Sequence, residues 1–298
     1  MQIKGVITAL VTPFKNGELN EEGLRQNIRH QIAAGVEGVL ALGTTGETPT
    51  LSENEQKRVI DITVEEAKGK VLVMLGTGTN CTATTQKKTK EAMEAGADAA
   101  LVVTPYYNCP TQNGIYAHFE AVSKIGFPIC VYNIEKRCGR NIETNTLKRI
   151  AKLDSVIAVK EASGSVAQAA DVLEQCTSDL SDFSVVSGDD GLTLPMMSLG
   201  AKGVISVLSN AFPSEIVKMV AAANAGDFTE ARRIHFRLAP LFRTAFIESN
   251  PIPIKWVMEE IGLAGGDCRL PLLPFSVEGR QLMSDVLSNL NIEEKVGV

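Results

Sequence analysis

Eight short apolar runs, rich in β-branched residues, recur along the chain: GVITALV (5–11), GVLALG (38–43), VLVMLG (71–76), AALVVT (99–104), ICVYN (129–133), VIAVK (156–160), FSVVSG (183–188) and GVISVL (203–208). They are near-continuously apolar rather than alternating, which is the pattern of parallel strands buried on both faces. Between most of them the apolar positions take a helical spacing. LSENEQKRVIDITVEEAKGK (51–70) opens on Ser52 with Glu55 three residues later, a capping box for a helix start. TTQKKTKEAMEAG (84–96) is a second such stretch. One joint repeats, in AAGVEGVLAL (33–42), EAGADAALVV (94–103) and LGAKGVISV (199–207). Each ends a helix at Gly, the residue that takes a left-handed conformation most cheaply, and enters a strand within a few residues. Eight βα units in about 210 residues predict an α/β fold of the closed (β/α)8 TIM-barrel type. A doubly wound sheet is the rival, but GTGTNC (76–81) lacks the third glycine of its phosphate-binding turn.

After residue 210 the strand pattern stops. Helical stretches follow at 214–226, 228–246, 253–263 and 277–290. They read as the last barrel helix plus a helical extension. The expected organisation is a catalytic barrel over 1–225 and a C-terminal extension over 226–298. No Gly/Ser-rich linker separates the two, so the extension is expected to pack on the barrel.

Composition narrows the function. The chain has 298 residues and 44% apolar residues, enough for a sizeable core, and its net charge of −6 argues against nucleic acid. No apolar run reaches the roughly 18 residues that a membrane span needs. The start, MQIKGVITALVTPF, fits a strand better than a signal peptide. Six scattered cysteines include no CxxC, and three histidines lie far apart. That argues against a zinc site or disulfide framework and fits a reducing cytoplasm. The expectation is a cytoplasmic enzyme with no metal, no cofactor and no membrane partner.

In a barrel of this kind the working residues sit where strands end. Those positions hold Thr12, Thr44, Thr45, Thr77, Thr104, Tyr106, Tyr107, Tyr132, Asn133, Lys160, Ser187, Asp189, Asp190, Ser206 and Ser209. Three of the four tyrosines are among them, so the clustering goes beyond ordinary turn chemistry. A threonine after a strand commonly serves only its turn. Lys160 closes the run VIAVK, and two readings fit it. Its stem can lie along the strand with the charge in water. Alternatively, its amine can be the nucleophile of a Schiff base. A free lysine titrates near 10.4 and is only about 0.04% neutral at pH 7. Burial in an apolar barrel mouth lowers that value. Bringing it to about 7 corresponds to roughly 4–5 kcal/mol against the charged form. An imine with a keto acid then drains electrons from the adjacent carbon. A Tyr–Thr–Tyr relay could move the protons without a histidine. GTTGE (43–47) offers backbone N–H groups and two hydroxyls for a carboxylate.

GTTGE, TPYYN (104–108), YNxxxRxG (132–139), VKEASG (159–164), SGDD (187–190) and NPIPIK (250–255) occur in order. On these motifs, from about residue 4 to 290, the sequence resembles the dihydrodipicolinate synthase family. That family lies within the N-acetylneuraminate lyase superfamily of class I pyruvate aldolases. The resemblance implies a lyase that condenses pyruvate with L-aspartate 4-semialdehyde in diaminopimelate and lysine biosynthesis. It implies that Lys160 forms the imine with pyruvate and that Tyr132 shuttles protons there. Thr44 would link Tyr132 to Tyr107, the latter supplied by a neighbouring subunit of a homotetramer built from tight dimers. Thr45 and the backbone at Ile205 would hold pyruvate. Arg137 would grip the semialdehyde carboxylate, for which its planar fork is suited. Asn133, Gly188 and Asp189 would shape the pocket.

Two stretches depart from the family pattern. The arginine loop reads YNIEKRCGR (132–140), so Glu135, Lys136 and Arg140 surround Arg137, where relatives usually carry Pro-Ser before the arginine. A nearby glutamate could compete with substrate. Two alternatives therefore stand beside the synthase. One is a related aldolase that keeps the imine but takes another aldehyde, like N-acetylneuraminate lyase or a keto-deoxy sugar acid aldolase. The other is a silent keto-acid-sensing protein on the same fold. The second departure concerns the lysine feedback site of sensitive relatives. Asn80 and Tyr106 remain, but Glu53, Gln56 and Thr84 stand where such relatives carry histidines and a glutamate. Inhibition by lysine is therefore expected to be weak or absent. A lysine titration of the steady-state rate checks this, and half-maximal inhibition below millimolar lysine contradicts it.

Overall fold

A computed structural model describes residues 1–178, 180 and 182–290. All eight apolar runs form strands: β1 (Gly5–Ala9), β4 (Gly38–Ala41), β5 (Leu72–Gly76), β6 (Ala99–Val103), β7 (Ile129–Asn133), β8 (Val156–Glu161), β9 (Ser184–Ser187) and β10 (Gly203–Ser206). A hairpin of β2 (Phe14–Lys15) and β3 (Glu18–Leu19) lies between the first two; its two-residue strands are too short to carry a periodic pattern. The eight long strands close a barrel in the order β1-β10-β9-β8-β7-β6-β5-β4, which is the predicted (β/α)8 class. Their near-unbroken burial matches the apolar runs. The three helix–strand joints behave as read: Gly35, Gly96 and Gly200 have φ of 83°, 90° and 113°. Among the described residues no helix is long and apolar enough to cross a membrane.

The described residues group into two compact units, one of Met1–Gly5 with Val73–Ile205, the other of Val6–Leu72 with 206–290. In the first, β5 to β10 pair in parallel, with α3 (Thr82–Glu94), α4 (Gln112–Ser123), the single turn α5 (Glu135–Cys138), α6 (Thr144–Ile150), α7 (Val166–Thr177) and α8 (Thr193–Ser198) in the connections. The register sets Tyr132 beside Lys160 and Asn133 beside Glu161. Lys160 in turn faces Val186 of β9.

The second unit holds β1, β4, the hairpin, α1 (Glu21–Ala33), α2 (Glu53–Ala67), α9 (Pro213–Asn224), α10 (Phe228–Thr244), α11 (Ile252–Glu260) and α12 (Val277–Leu290). The last four match the helices expected after residue 210; the end of the expected extension, 291–298, lies outside the described residues. Ser52 and Glu55 form the capping box of α2. Glu55 also takes two bonds from Arg269, at 2.5 and 3.0 Å, and these hold its carboxyl down at about 2.

A buried ion pair anchors the GTTGE turn. Lys255 Nζ lies 2.6 Å from Glu47 Oε1, and both side chains are 1% exposed. The ammonium also donates to the carbonyls of Thr12 at 3.0 Å and Asp267 at 2.7 Å, so each of its three protons has an acceptor. Glu47 Oε2 accepts from the Arg269 N–H at 2.9 Å. Glu47 itself has φ of 51°, a left-handed conformation that this pairing holds in place. Removing one partner leaves the other charge buried and unpaired. Lys255→Met is therefore expected to lose about 3–5 kcal/mol of stability in urea unfolding. A Glu47→Gln, Lys255→Met double variant should recover part of that loss. A single-variant loss below about 1 kcal/mol would show that the pair does not anchor the turn.

Candidate active site

The site begins at the end of β8. Val159 and Ala158 are fully buried, and Lys160 continues them with 5% of its surface exposed. The amine Nζ sits 4.3 Å from the centroid of the Tyr132 ring, on the neighbouring strand. It makes no hydrogen bond among the described residues. Gly188 explains how the lysine stem fits. A Cβ at Gly188 would lie 3.0 Å from Lys160 Cγ and Cε and 2.7 Å from Ala162 Cβ. Any larger residue at 188 would push the lysine aside.

Burial pushes the Lys160 amine down to about 8 from the 10.5 of a free lysine. Cys130 and Asp190 pull it back up, and the positive charge of Arg137 adds to the downward push. Burial holds the Cys130 thiol up at about 12, so at neutral pH that thiol is uncharged and Asp190 is the negative charge that remains. An amine with a pKa near 8 is about 9% neutral at pH 7, roughly two hundred times the fraction for a free lysine.

Tyr132 is 6% exposed, and its backbone is fixed by the residue that follows β6. Thr104 donates both its N–H and its hydroxyl to the Tyr132 carbonyl, each at 3.0 Å. Arg137 stands on α5, exposed, and the turn ends at Gly139 in a left-handed conformation. Among the described residues Arg137 pairs with no carboxylate, and Glu135, also exposed, does not hold it. Arg140 is occupied elsewhere, donating to the Cys109 carbonyl at 3.2 Å. Ile205, in β10, is fully buried.

Tyr106 and Tyr107 follow β6 on a segment that turns sharply outward. Tyr107 has φ of 71°, Cys109 has φ of 45°, and Asn108 is tied to the carbonyl of Asn80 at 2.8 Å. Tyr107 is 90% exposed, so within one chain it projects into solvent.

In the second unit the GTTGE segment folds as a single tight turn. Gly46 N–H donates to the Gly43 carbonyl and Glu47 N–H to the Thr44 carbonyl. The Thr44 and Thr45 N–H groups have no acceptor among the described residues. Thr45 is 3% exposed, and its hydroxyl oxygen accepts from Asn250 Nδ2 at 2.9 Å. Since that oxygen accepts from Asn250, the Thr45 proton is free to be donated elsewhere. Thr44 is half-buried.

Several strand-end residues turn out to serve local structure. Thr12 donates to the Gly46 carbonyl at 2.7 Å, and the Thr77 hydroxyl lies 2.9 Å from that of Thr89. Ser187 and Asp189 exchange bonds in their own turn, where Asp189 Oδ1 also caps Gly191 and Leu192. The Ser206 hydroxyl accepts from the Ser209 N–H at 2.9 Å. Asp190, buried at 2%, is the member of SGDD whose charge reaches Lys160. Sequence reasoning passed over Glu161 and Asn250, although both stand inside quoted motifs, VKEASG and NPIPIK.

A family model described as the dihydrodipicolinate synthetase family matches residues 2–290. The 4-hydroxy-tetrahydrodipicolinate synthase of Protochlamydia amoebophila is 49% identical over 292 residues, covering 97% of this chain and 97% of its own. The crystal structure of dihydrodipicolinate synthase from Thermotoga maritima superposes with a TM-score of 0.95 at 40% identity, covering 97% and 99%. A structure described as the first monomeric dihydrodipicolinate synthase variant superposes equally well, with a TM-score of 0.95 at 40% identity and 97% coverage of both chains.

The Lys160 environment carries a stability consequence. The folded-state pKa lies below the unfolded one, so burying the cation costs its full amount below about pH 8, where both states are protonated. The cost shrinks as pH rises from 8 toward 10.5, because the folded state alone sheds the proton there. The difference corresponds to roughly 3 kcal/mol. Lys160→Met should therefore stabilise the protein at pH 7 in urea unfolding, with a gain that fades toward pH 10. A pH-independent effect, or a loss at pH 7, would contradict the buried, depressed amine.

Proposed function

The chain belongs to the dihydrodipicolinate synthetase family, and on that footing we propose that it is a lyase condensing pyruvate with L-aspartate 4-semialdehyde in diaminopimelate and lysine biosynthesis. The observation that supports the assignment most is the buried amine of Lys160, held near 8 against the face of Tyr132. Neutral Lys160 attacks the keto carbon of pyruvate, and the adduct loses water to become an imine. The cationic imine acidifies the adjacent methyl group. Loss of a proton there gives an enamine, whose carbon adds to the aldehyde carbon of the semialdehyde. The semialdehyde's own amine then displaces Lys160 and closes the ring.

Each step moves a proton, and Tyr132 is the group placed beside the reacting nitrogen. Family likeness assigns Thr44 and Tyr107 to the same relay. It assigns Thr45 and the backbone at Ile205 to the pyruvate carboxylate, and the unengaged N–H groups of Thr44 and Thr45 suit an anion. Gly188 leaves the space the lysine needs. Arg137, exposed and unpaired among the described residues, is suited to the carboxylate of the second substrate. The exposure of Tyr107 supports its service to a neighbouring subunit, in a homotetramer of tight dimers. The six free cysteines suit a cytoplasmic setting.

Borohydride with pyruvate should add mass at Lys160, at a rate that rises with pH through about 8, and Lys160→Ala should abolish the adduct. Tyr132→Phe should still bind pyruvate but turn over slower by about two orders of magnitude or more. Coupled assays over an aldehyde panel should show turnover with the semialdehyde. Turnover with sugar-acid aldehydes alone would make the chain a related aldolase, and no pyruvate adduct would remove the imine altogether.

A further inference from the structure

Lys160 and Tyr132 are register partners, and so are the residues that follow them, Glu161 and Asn133. Successive strand residues face opposite sides, so this second pair lies behind the first. Glu161 is a carboxylate only 2% exposed, with no cation paired to it among the described residues. Hydrogen-bond donors surround it instead. Its Oε1 accepts from the Ser163 N–H at 2.7 Å. Its Oε2 accepts from Asn133 Nδ2 at 3.0 Å and from Gln168 Nε2 at 3.5 Å.

Asn133 carries this arrangement to the arginine loop. Its Nδ2 also donates to Asn141 Oδ1 at 2.9 Å, and its Oδ1 accepts from the Ile142 N–H at 3.0 Å. Asn141 and Gln168 exchange two further bonds, at 2.8 and 3.0 Å. Residues 134–140 leave from Asn133 and return to it, and Arg137 is among them. The Asn133 side chain thus closes the neck of the loop. Glu161 and the Ile142 N–H together fix which way the Asn133 amide faces. A carboxylate can only accept, so Nδ2 turns toward it and Oδ1 is left for Ile142.

We propose that Glu161 is the positioning residue for second-substrate recognition: through Asn133 it holds the Arg137 loop in register with the strand that carries the imine lysine. The proposal rests on Arg137 receiving the semialdehyde carboxylate. Glu161 lies on the opposite face of the strand from the amine. Its loss should therefore appear in one KM and not the other.

The test uses the full-length enzyme, with steady-state kinetics in both substrates and borohydride trapping with pyruvate. Glu161→Gln keeps the shape but turns an N–H toward a donor. It should raise the semialdehyde KM by about tenfold or more, while the pyruvate KM and the trapped adduct change less than about twofold. Asn133→Asp with Glu161→Gln exchanges donor and acceptor and keeps the charge. That double variant should bring the semialdehyde KM back to within about threefold of the parent. If Glu161→Gln is insoluble, the exchange alone decides: a soluble double variant with the parent's KM values supports the proposal, and an insoluble one overturns it. Unchanged or equal KM values in Glu161→Gln, or no recovery in the double variant, also overturn it. Arg137→Ala separates this failure from that of the underlying reading. If it raises the semialdehyde KM alone while Glu161→Gln does nothing, the loop reading stands and the role of Glu161 falls. If Arg137→Ala spares that KM, both fall.

Discussion

A lysine at the end of a buried strand is the constraint on which the rest of the structure depends. The apolar run before it, the aromatic face beside it and the missing side chain at Gly188 all act on the same amine. They deny it water and supply no hydrogen-bond acceptor, so its charged form is disfavoured and its neutral form becomes available. The roughly 3 kcal/mol involved is a large share of the 5–15 kcal/mol by which folded proteins are usually stable. Reactivity is thus obtained at the expense of stability, and the surrounding strands must supply the difference.

Three buried charges show three different solutions. Lys255 is paired with Glu47 and gives each of its protons to an acceptor, so it stays charged and holds a turn. Glu161 has no cation among the described residues but is ringed by N–H donors, so with the Ile142 N–H it sets the direction of an amide network. Lys160 has neither among the described residues, only the field of Asp190 against the push of burial and of Arg137. The contrast separates structural charges from the reactive one by their surroundings rather than by residue type.

Much of this was legible in the sequence. The eight strands showed as apolar runs, because strands buried on both faces need no alternation to betray them. The helix joints showed through Gly35, Gly96 and Gly200, whose left-handed φ values the chain reaches most easily at glycine. Lys160 stood out because a cation at the end of such a run is physically costly. What stayed hidden depends on distance along the chain. Glu47 and Lys255 are 208 residues apart, and Asn250 reaches Thr45 across 205. Glu161 was visible as a letter in VKEASG, but its role depends on Asn133, Asn141 and Gln168 lying behind the strand. The outward turn at Tyr107 and the two-residue hairpin strands leave no periodic trace.

The chemistry turns on the state of one amine. Titrating Lys160 directly by NMR, with isotope-labelled lysine and the Lys160→Ala protein to assign the signal, measures it without any substrate. A midpoint near 8 is the result expected, well below the 10.5 of an exposed lysine. A midpoint at the exposed value would contradict the account.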